Sequence, residues 1–186
     1  MRISRDREKL ADAVISFVSH TKYCGITKLL KLLFFLDFTH FREAGRSVTG
    51  LTYRAWSKGP APADVWSEVK RGATTFLADA VTVNEIPDEE TARHFTKISP
   101  RRAFDGKYFS RRERRILDEL VEIYRDAKAN ELVEITHLKN SPWCKTLKKS
   151  GPNSTIDYML ALDGKSTREL PRDEIEARVA EFAEEI

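Results

Sequence analysis

The sequence predicts a mainly helical α+β fold: a buried central helix packed by surrounding helices, with a small antiparallel sheet of three short strands. Three observations carry this. Residues 26–44 (ITKLLKLLFFLDFTHFREA) run for about five turns without Gly or Pro and are apolar almost all round. Helix-period patterns with start and stop signals recur on both sides of that stretch. Between them lie three short runs of strand character, set off by Gly, Pro and acidic turn residues.

Taken in order, residues 5–20 form a first helix with Leu10, Val14, Phe17 and Val18 on one face, and Gly25 is its expected stop. The central helix follows and ends at Gly45. Leu51–Ser57 has strand character, and Gly59-Pro60-Ala61-Pro62 turns the chain into a short helix with Val65, Trp66 and Val69 inward and Gly72 closing it. Ala80–Ile86 and His94–Ser99 are the other two strands, separated by Pro87-Asp88-Glu89-Glu90. Ser110-Arg111-Arg112-Glu113 is a capping box that opens a helix to about Lys128, with a stripe of Ile116, Leu117, Leu120, Val121 and Tyr124. Asn130 caps a short helix through His137, and a turn at Asn140–Pro142 leads to Trp143. Lys148–Asn153 is the most linker-like stretch. It divides a domain of residues 1–149 from an extension of residues 150–186. The extension holds a helical fragment at Ile156–Leu162 and an acidic amphipathic helix at Pro171–Ile186, with a seam of Ile175, Val179, Phe182 and Ile186.

Stepping 100° per residue around the central helix places Lys28, Lys31, Thr39, Arg42 and Glu43 on a polar stripe that Leu32 and Phe35 interrupt. Asp37 sits on the opposite, apolar side with His40 one turn on. A buried carboxylate must be paired or hydrogen-bonded, because an isolated charge there is too costly.

Composition narrows the class. With 41% hydrophobic and 33% charged residues the chain is that of a soluble globular protein, and no apolar run approaches the roughly 18 residues of a membrane span. The N-terminal MRISRDREKLAD lacks the apolar core of a signal peptide, and two cysteines make no disulfide framework. A cytoplasmic location and no membrane partner are expected. The net charge is only +3 but unevenly placed. Residues 1–60 hold 11 Lys/Arg against 5 Asp/Glu, residues 97–115 hold 8 against 2, and residues 171–186 hold 2 against 6. A basic surface of this kind either meets nucleic acid or an acidic partner, or is a set of solvated helix faces.

Three segments in order carry a family resemblance. Lys28, Leu29, Lys31, Leu32, Leu33 and Asp37 match the first, Gly45, Thr49, Gly50, Tyr53, Ala55, Gly59, Pro60 and Pro62 the second, and Leu132, His137 and Trp143 the third. Together they resemble the Panacea domain, the core of SocA-type antitoxins and phage-associated GepA-like proteins. Ser47, Lys58 and Ala61 depart from the family pattern beside the Gly-Pro turn. The resemblance implies a bacterial or prophage antitoxin that neutralises a co-encoded protein toxin, by direct binding or by delivering it to an AAA+ protease.

The residues permit such a mechanism. The expected partner-binding set is Lys28, Lys31, Leu32, Phe35, Trp56, Lys58, Trp66, Ile175, Val179 and Phe182, since exposed aromatics beside Lys or Arg are what binding hot spots are made of. The other reading of these aromatics is core. Asp37, His40, Tyr53, His137 and Trp143 form the expected buried polar network, with Asp37 and His137 bridging two helices. No nucleophile motif, HExxH or phosphate-binding glycine loop stands beside them, so no enzymatic activity and no cofactor is expected. His20, Cys24, His137 and Cys144 are a legal zinc set with loose spacing, and buried free thiols are the preferred reading. The competing function is a DNA-binding regulator that uses Arg101, Arg102, Arg111, Arg112, Arg114 and Arg115 on phosphates.

Overall fold

The first helix, α1 (Asp6–His20), buries Leu10, Val14 and Phe17. In the computed structural model, which describes residues 5–87 and 94–184, it stops at Thr21, whose backbone N–H and hydroxyl both reach the Phe17 carbonyl (3.1 and 2.8 Å). Gly25 is therefore not the stop. Tyr23 takes the left-handed conformation (φ 56°), and Gly25, at φ −82°, precedes the next helix. The expected Asp88–Glu90 turn, the first four residues and Ile186 lie outside the described residues.

The central helix, α2 (Ile26–Ala44), ends where the sequence indicates: Gly45 adopts φ 75° and donates its N–H to the Phe41 carbonyl at 2.8 Å. Its cover is nearly complete. Leu29, Leu32, Leu33 and Leu36 are fully buried. Three charged members of the expected polar stripe, Lys28, Lys31 and Glu43, are buried as well, while Arg42 is half-buried. Helix α1 and the helix at Arg111–Tyr124 pack on one side, the helix at Ala129–Thr136 and the strand at Gly59–Ala61 on another, and the C-terminal segments on a third.

The strands form two separate ribbons among the described residues rather than one three-stranded sheet. β1 (Arg54–Trp56) pairs antiparallel with β2 (Gly59–Ala61), and β3 (Val81–Pro87) pairs with β4 (His94–Pro100), Val81 opposite Pro100. The reason is edge occupancy. Gly59, at φ 96°, closes the first ribbon back on itself. The other edge of β1 is taken by the C-terminal segment, where the Asn153 and Ile156 N–H groups donate to the Ala55 and Tyr53 carbonyls at 2.8 Å. Neither edge of β1 is left for β3.

Helix α3 (Ala63–Lys70) turns Val65 and Val69 inward, but Trp66, expected inward, is 38% exposed and meets Trp56 edge-on at 5.5 Å. Helix α4 (Arg111–Tyr124) opens with the expected capping box, Ser110 N–H donating to Glu113 at 2.7 Å, and Glu113 also takes the Lys9 ammonium of α1 at 2.6 Å. It stops short of Lys128. Helix α5 (Ala129–Thr136) starts after Lys128, whose N–H donates to Glu131, so Asn130 lies inside the first turn rather than capping it. Helix α6 (Pro142–Ser150) is capped by Ser141 with Pro142 in the first turn. The stretch read as linker is thus the end of α6 and the turn that feeds the edge of β1. A 3-10 turn (Tyr158–Ala161) and α7 (Arg172–Glu184) complete the chain, both against α2. No helix among the described residues is long and apolar enough to cross a membrane.

Leu32 gives a direct test of this burial. Leu32→Ala leaves a cavity in the core and is expected to lower the unfolding free energy by about 2–5 kcal/mol in urea titration, whereas a surface contact residue would leave it nearly unchanged.

Candidate functional site

The site is built on α2, and its rigidity comes from Asp37. That carboxylate is fully buried and accepts four hydrogen bonds: Val48 N–H (2.8 Å) and Thr49 N–H (2.9 Å) on Oδ1, Thr49 hydroxyl (2.5 Å) and Tyr53 hydroxyl (2.7 Å) on Oδ2. Burial pushes the carboxyl above its ordinary range, and the four donors oppose that push. The loop after α2 is thereby pinned to the helix that precedes it. Of the expected polar network, Tyr53 belongs to Asp37 and the rest do not. His40 donates from Nδ1 to the Arg46 carbonyl (2.8 Å), and burial drives its pKa down to about 4, so the ring is neutral. His137 lies flat on Trp143, centroids 4.0 Å apart, and Trp143 Nε1 donates to the Trp56 carbonyl at 2.9 Å. His137 and Asp37 share no hydrogen bond because Asp37 is saturated by its own loop.

The two lysines are internal struts. Lys28 Nζ donates to three carbonyls, Lys22 (2.7 Å), Tyr124 (2.8 Å) and Ala127 (2.6 Å). All three ammonium protons are spent on carbonyls outside a helix ladder, one at the last residue of α4 (Tyr124) and two in the turns at Lys22 and Ala127. Lys31 Nζ has one such partner, the Pro60 carbonyl at 2.7 Å, and burial lowers its pKa to about 7. The same stretch holds the buried Nε2 of His137, which has no hydrogen-bond partner, and the charge of Lys31 adds to burial in lowering that imidazole's pKa.

The expected partner-binding residues scatter. Lys28, Lys31, Leu32 and Ile175 are inside the fold, each because its neighbours complete a buried contact: carbonyls for the lysines, the main core for Leu32, and Phe41 with Leu162 for Ile175. Trp56 donates its indole N–H to Asn153 and abuts Trp66, with Lys58 exposed nearby in sequence. Val179 is 38% exposed, and Phe182 lies under the Arg46 guanidinium. Phe35 is different. Its ring stacks on Tyr124 at 5.3 Å and also lines an open groove of about 710 Å³.

That groove is concave and apolar. Phe34, Phe35 and Phe38 of α2 form its floor. One wall runs from the end of α5 through the loop to Pro142, and the other from Leu160 to Lys165. Ile135 and Leu138 stand at the first wall 38% and 62% exposed. Apart from Phe35, none of these residues was singled out from the sequence as a contact residue. Phe34 and Phe38 read as core, and only the apolar Leu138 in the polar run HLKNSP carried a signal.

Residues 29–144, more than half of the chain, match the family described as antitoxin SocA-like, Panacea domain. The chain belongs to this family. No curated protein and no solved structure matches it. The Panacea match starts within α2 and ends within α6, so it contains Asp37, its loop, Lys31, His137 and Trp143, and the floor and first wall of the groove. The second groove wall and α7 lie beyond it.

Outside the Panacea groove, the arginines are largely answered by carboxylates. Arg102 meets Asp12 at 2.6 Å, Arg114 meets Asp118 at 3.0 Å, and Arg112 and Arg115 both meet the buried Glu43. Cys24 is buried with its thiol pushed up to about 11, and Cys144 is half-buried. Among the described residues no three His, Cys, Asp or Glu converge as a metal-ligand set.

Two substitutions test these assignments. Asp37→Ala orphans four buried donors and is expected to cost about 3–5 kcal/mol in chemical denaturation, with Asp37→Asn costing clearly less because it keeps an acceptor for the two backbone N–H groups. For Lys31, the unfolded chain binds the extra proton between about 7 and the ordinary 10.5, so stability should rise as pH climbs through that window. Lys31→Met removes that rise; equal slopes in both proteins would contradict the assignment.

Proposed function

We propose that the chain is the antitoxin of a toxin–antitoxin pair and that it neutralises a co-encoded protein toxin by holding it in a stoichiometric complex, without catalysis and without a cofactor. Membership of the SocA-like Panacea family carries this reading. The apolar groove on α2 supports it, because a concave, aromatic-floored surface with exposed Ile135 and Leu138 is suited to burying a partner's side chains. Three of the buried titratable groups support it too. Asp37 is saturated by its own loop, Lys28 by carbonyls, and His40 by the Arg46 carbonyl, so these three are not poised as acid or base. Lys31, by contrast, has one carbonyl partner and His137 Nε2 none. Handing the toxin to an AAA+ protease is compatible with the same complex. A nucleic-acid role has less support, since much of the arginine charge is neutralised within the chain and α7 adds acidic residues.

The test is co-expression with each neighbouring open reading frame, followed by affinity purification. A growth-inhibiting neighbour that is rescued and co-purifies at one to one is the expected result. A toxic neighbour rescued without a stable complex points to proteolytic delivery. Absence of any rescued or bound neighbour overturns the proposal.

A further inference from the structure

The groove on α2 also restricts the shape of what it binds; the step taken here rests on the antitoxin reading above. Its floor is one helical face, Phe34, Phe35, Phe38 and Arg42. From Phe34 to Arg42 the helix rises about 12 Å, a little over two turns. The backbone groups of that floor are spent on the helix's own ladder. The nearest ribbon offers no template, because β1 is closed on one edge by β2 and on the other by Asn153–Ile156. An extended segment laid in this trough would leave its own amides unpaired against aromatic rings, at a cost a self-satisfied helix avoids.

Charge at the rim adds a second restriction. Arg42 engages Glu169 at 3.2 Å and Asp163 at 3.6 Å, so the rim's one carboxylate is already answered. Lys139 and Lys165 are exposed on the two walls, and neither has an ion-pair partner among the described residues. The lip is therefore positive above an apolar floor. We propose that the groove receives an amphipathic helix of the partner toxin, engaged over about two turns, with aliphatic or aromatic side chains at i, i+3 or i+4, and i+7 against Phe35 and Leu138, and carboxylates flanking that stripe opposite Lys139 and Lys165.

The experiment uses the full chain and the growth-inhibiting neighbour identified by co-expression. Leu138 is 62% exposed, so Leu138→Glu leaves the fold intact, checked by circular dichroism and melting. It is expected to weaken binding of the purified neighbour at least tenfold by calorimetry. The Lys139→Glu/Lys165→Glu pair is expected to weaken it several-fold at low salt and less at high salt. A photo-crosslinker at position 138 should attach to a helical segment of the neighbour with an apolar i, i+3/i+4, i+7 stripe and flanking acidic residues. Unchanged affinity in both variants, with the wild-type chain still binding, overturns the groove assignment and leaves the antitoxin reading standing. A crosslink to an extended or basic segment overturns the helix assignment. Failure of the wild-type chain to bind any neighbour removes the antitoxin reading itself.

Discussion

Near-complete burial of α2 is the constraint on which the rest of the structure depends. A helix covered on most sides cannot send its polar groups to water, yet this one carries Lys28, Lys31, Asp37, Glu43 and the neutral His40 in positions that are all below a tenth exposed. An unpaired charge in such a place costs several kcal/mol, a large part of the roughly 5–15 kcal/mol by which a domain is stable. Each charge therefore dictates where another part of the chain must lie. Asp37 draws the 48–53 loop back over the helix, Lys28 gathers the turn at 22 and the end of α4, Lys31 holds the Gly-Pro ribbon, and Glu43 draws in the start of α4 through Arg112 and Arg115. The loops are located by ligation to the helix as much as by their own turn chemistry.

The same packing explains the open side. Helices α5 and α6 are joined by a short loop that leaves a groove open over the half-buried Phe35, with Phe34 and Phe38 almost wholly buried at its base, and the 160–165 segment forms the far wall. An apolar surface left open on an otherwise saturated helix is where a partner gains the most burial per contact. Of the charged groups at its rim, Arg42 and Asp163 are paired with each other, while Lys139 and Lys165 have no ion-pair partner among the described residues. On α4, Arg112 and Arg115 tie the helix to Glu43 of α2, and Arg114 pairs with Asp118 on its own helix.

Much of the architecture was legible from pattern. The central helix matched at both ends because an uninterrupted apolar run and a following Gly leave little choice of boundary, and the capping box before α4 matched because its two hydrogen bonds are local. Misreadings arose where a distant group competed. Helix α4 ends at Tyr124, whose carbonyl is taken by the Lys28 ammonium of another helix, and β1 does not join the later strands because the C-terminal segment occupies its second edge. The buried acid and its partner Tyr53 are legible in the sequence, but the expected bridge to His137 is absent because Val48 and Thr49 of the next loop take the remaining places on the carboxylate.

What the sequence determined by itself was local and periodic: helix positions, the burial of α2, the need for Asp37 to be satisfied, and, through three ordered motifs, the family. What only the tertiary structure decided was which polar side chains face inward and which apolar ones stay open. A 3.6-residue period assigns faces to a helix, but the outcome for each face depends on what covers it. Lys28 and Lys31 fall on a polar stripe by periodicity and are internal because carbonyls from distant turns reach them. Phe34 and Phe38 read as core and are core, while Ile135 and Leu138 on the neighbouring groove wall stay open. Cover is a property of the assembled chain, and no local pattern encodes it.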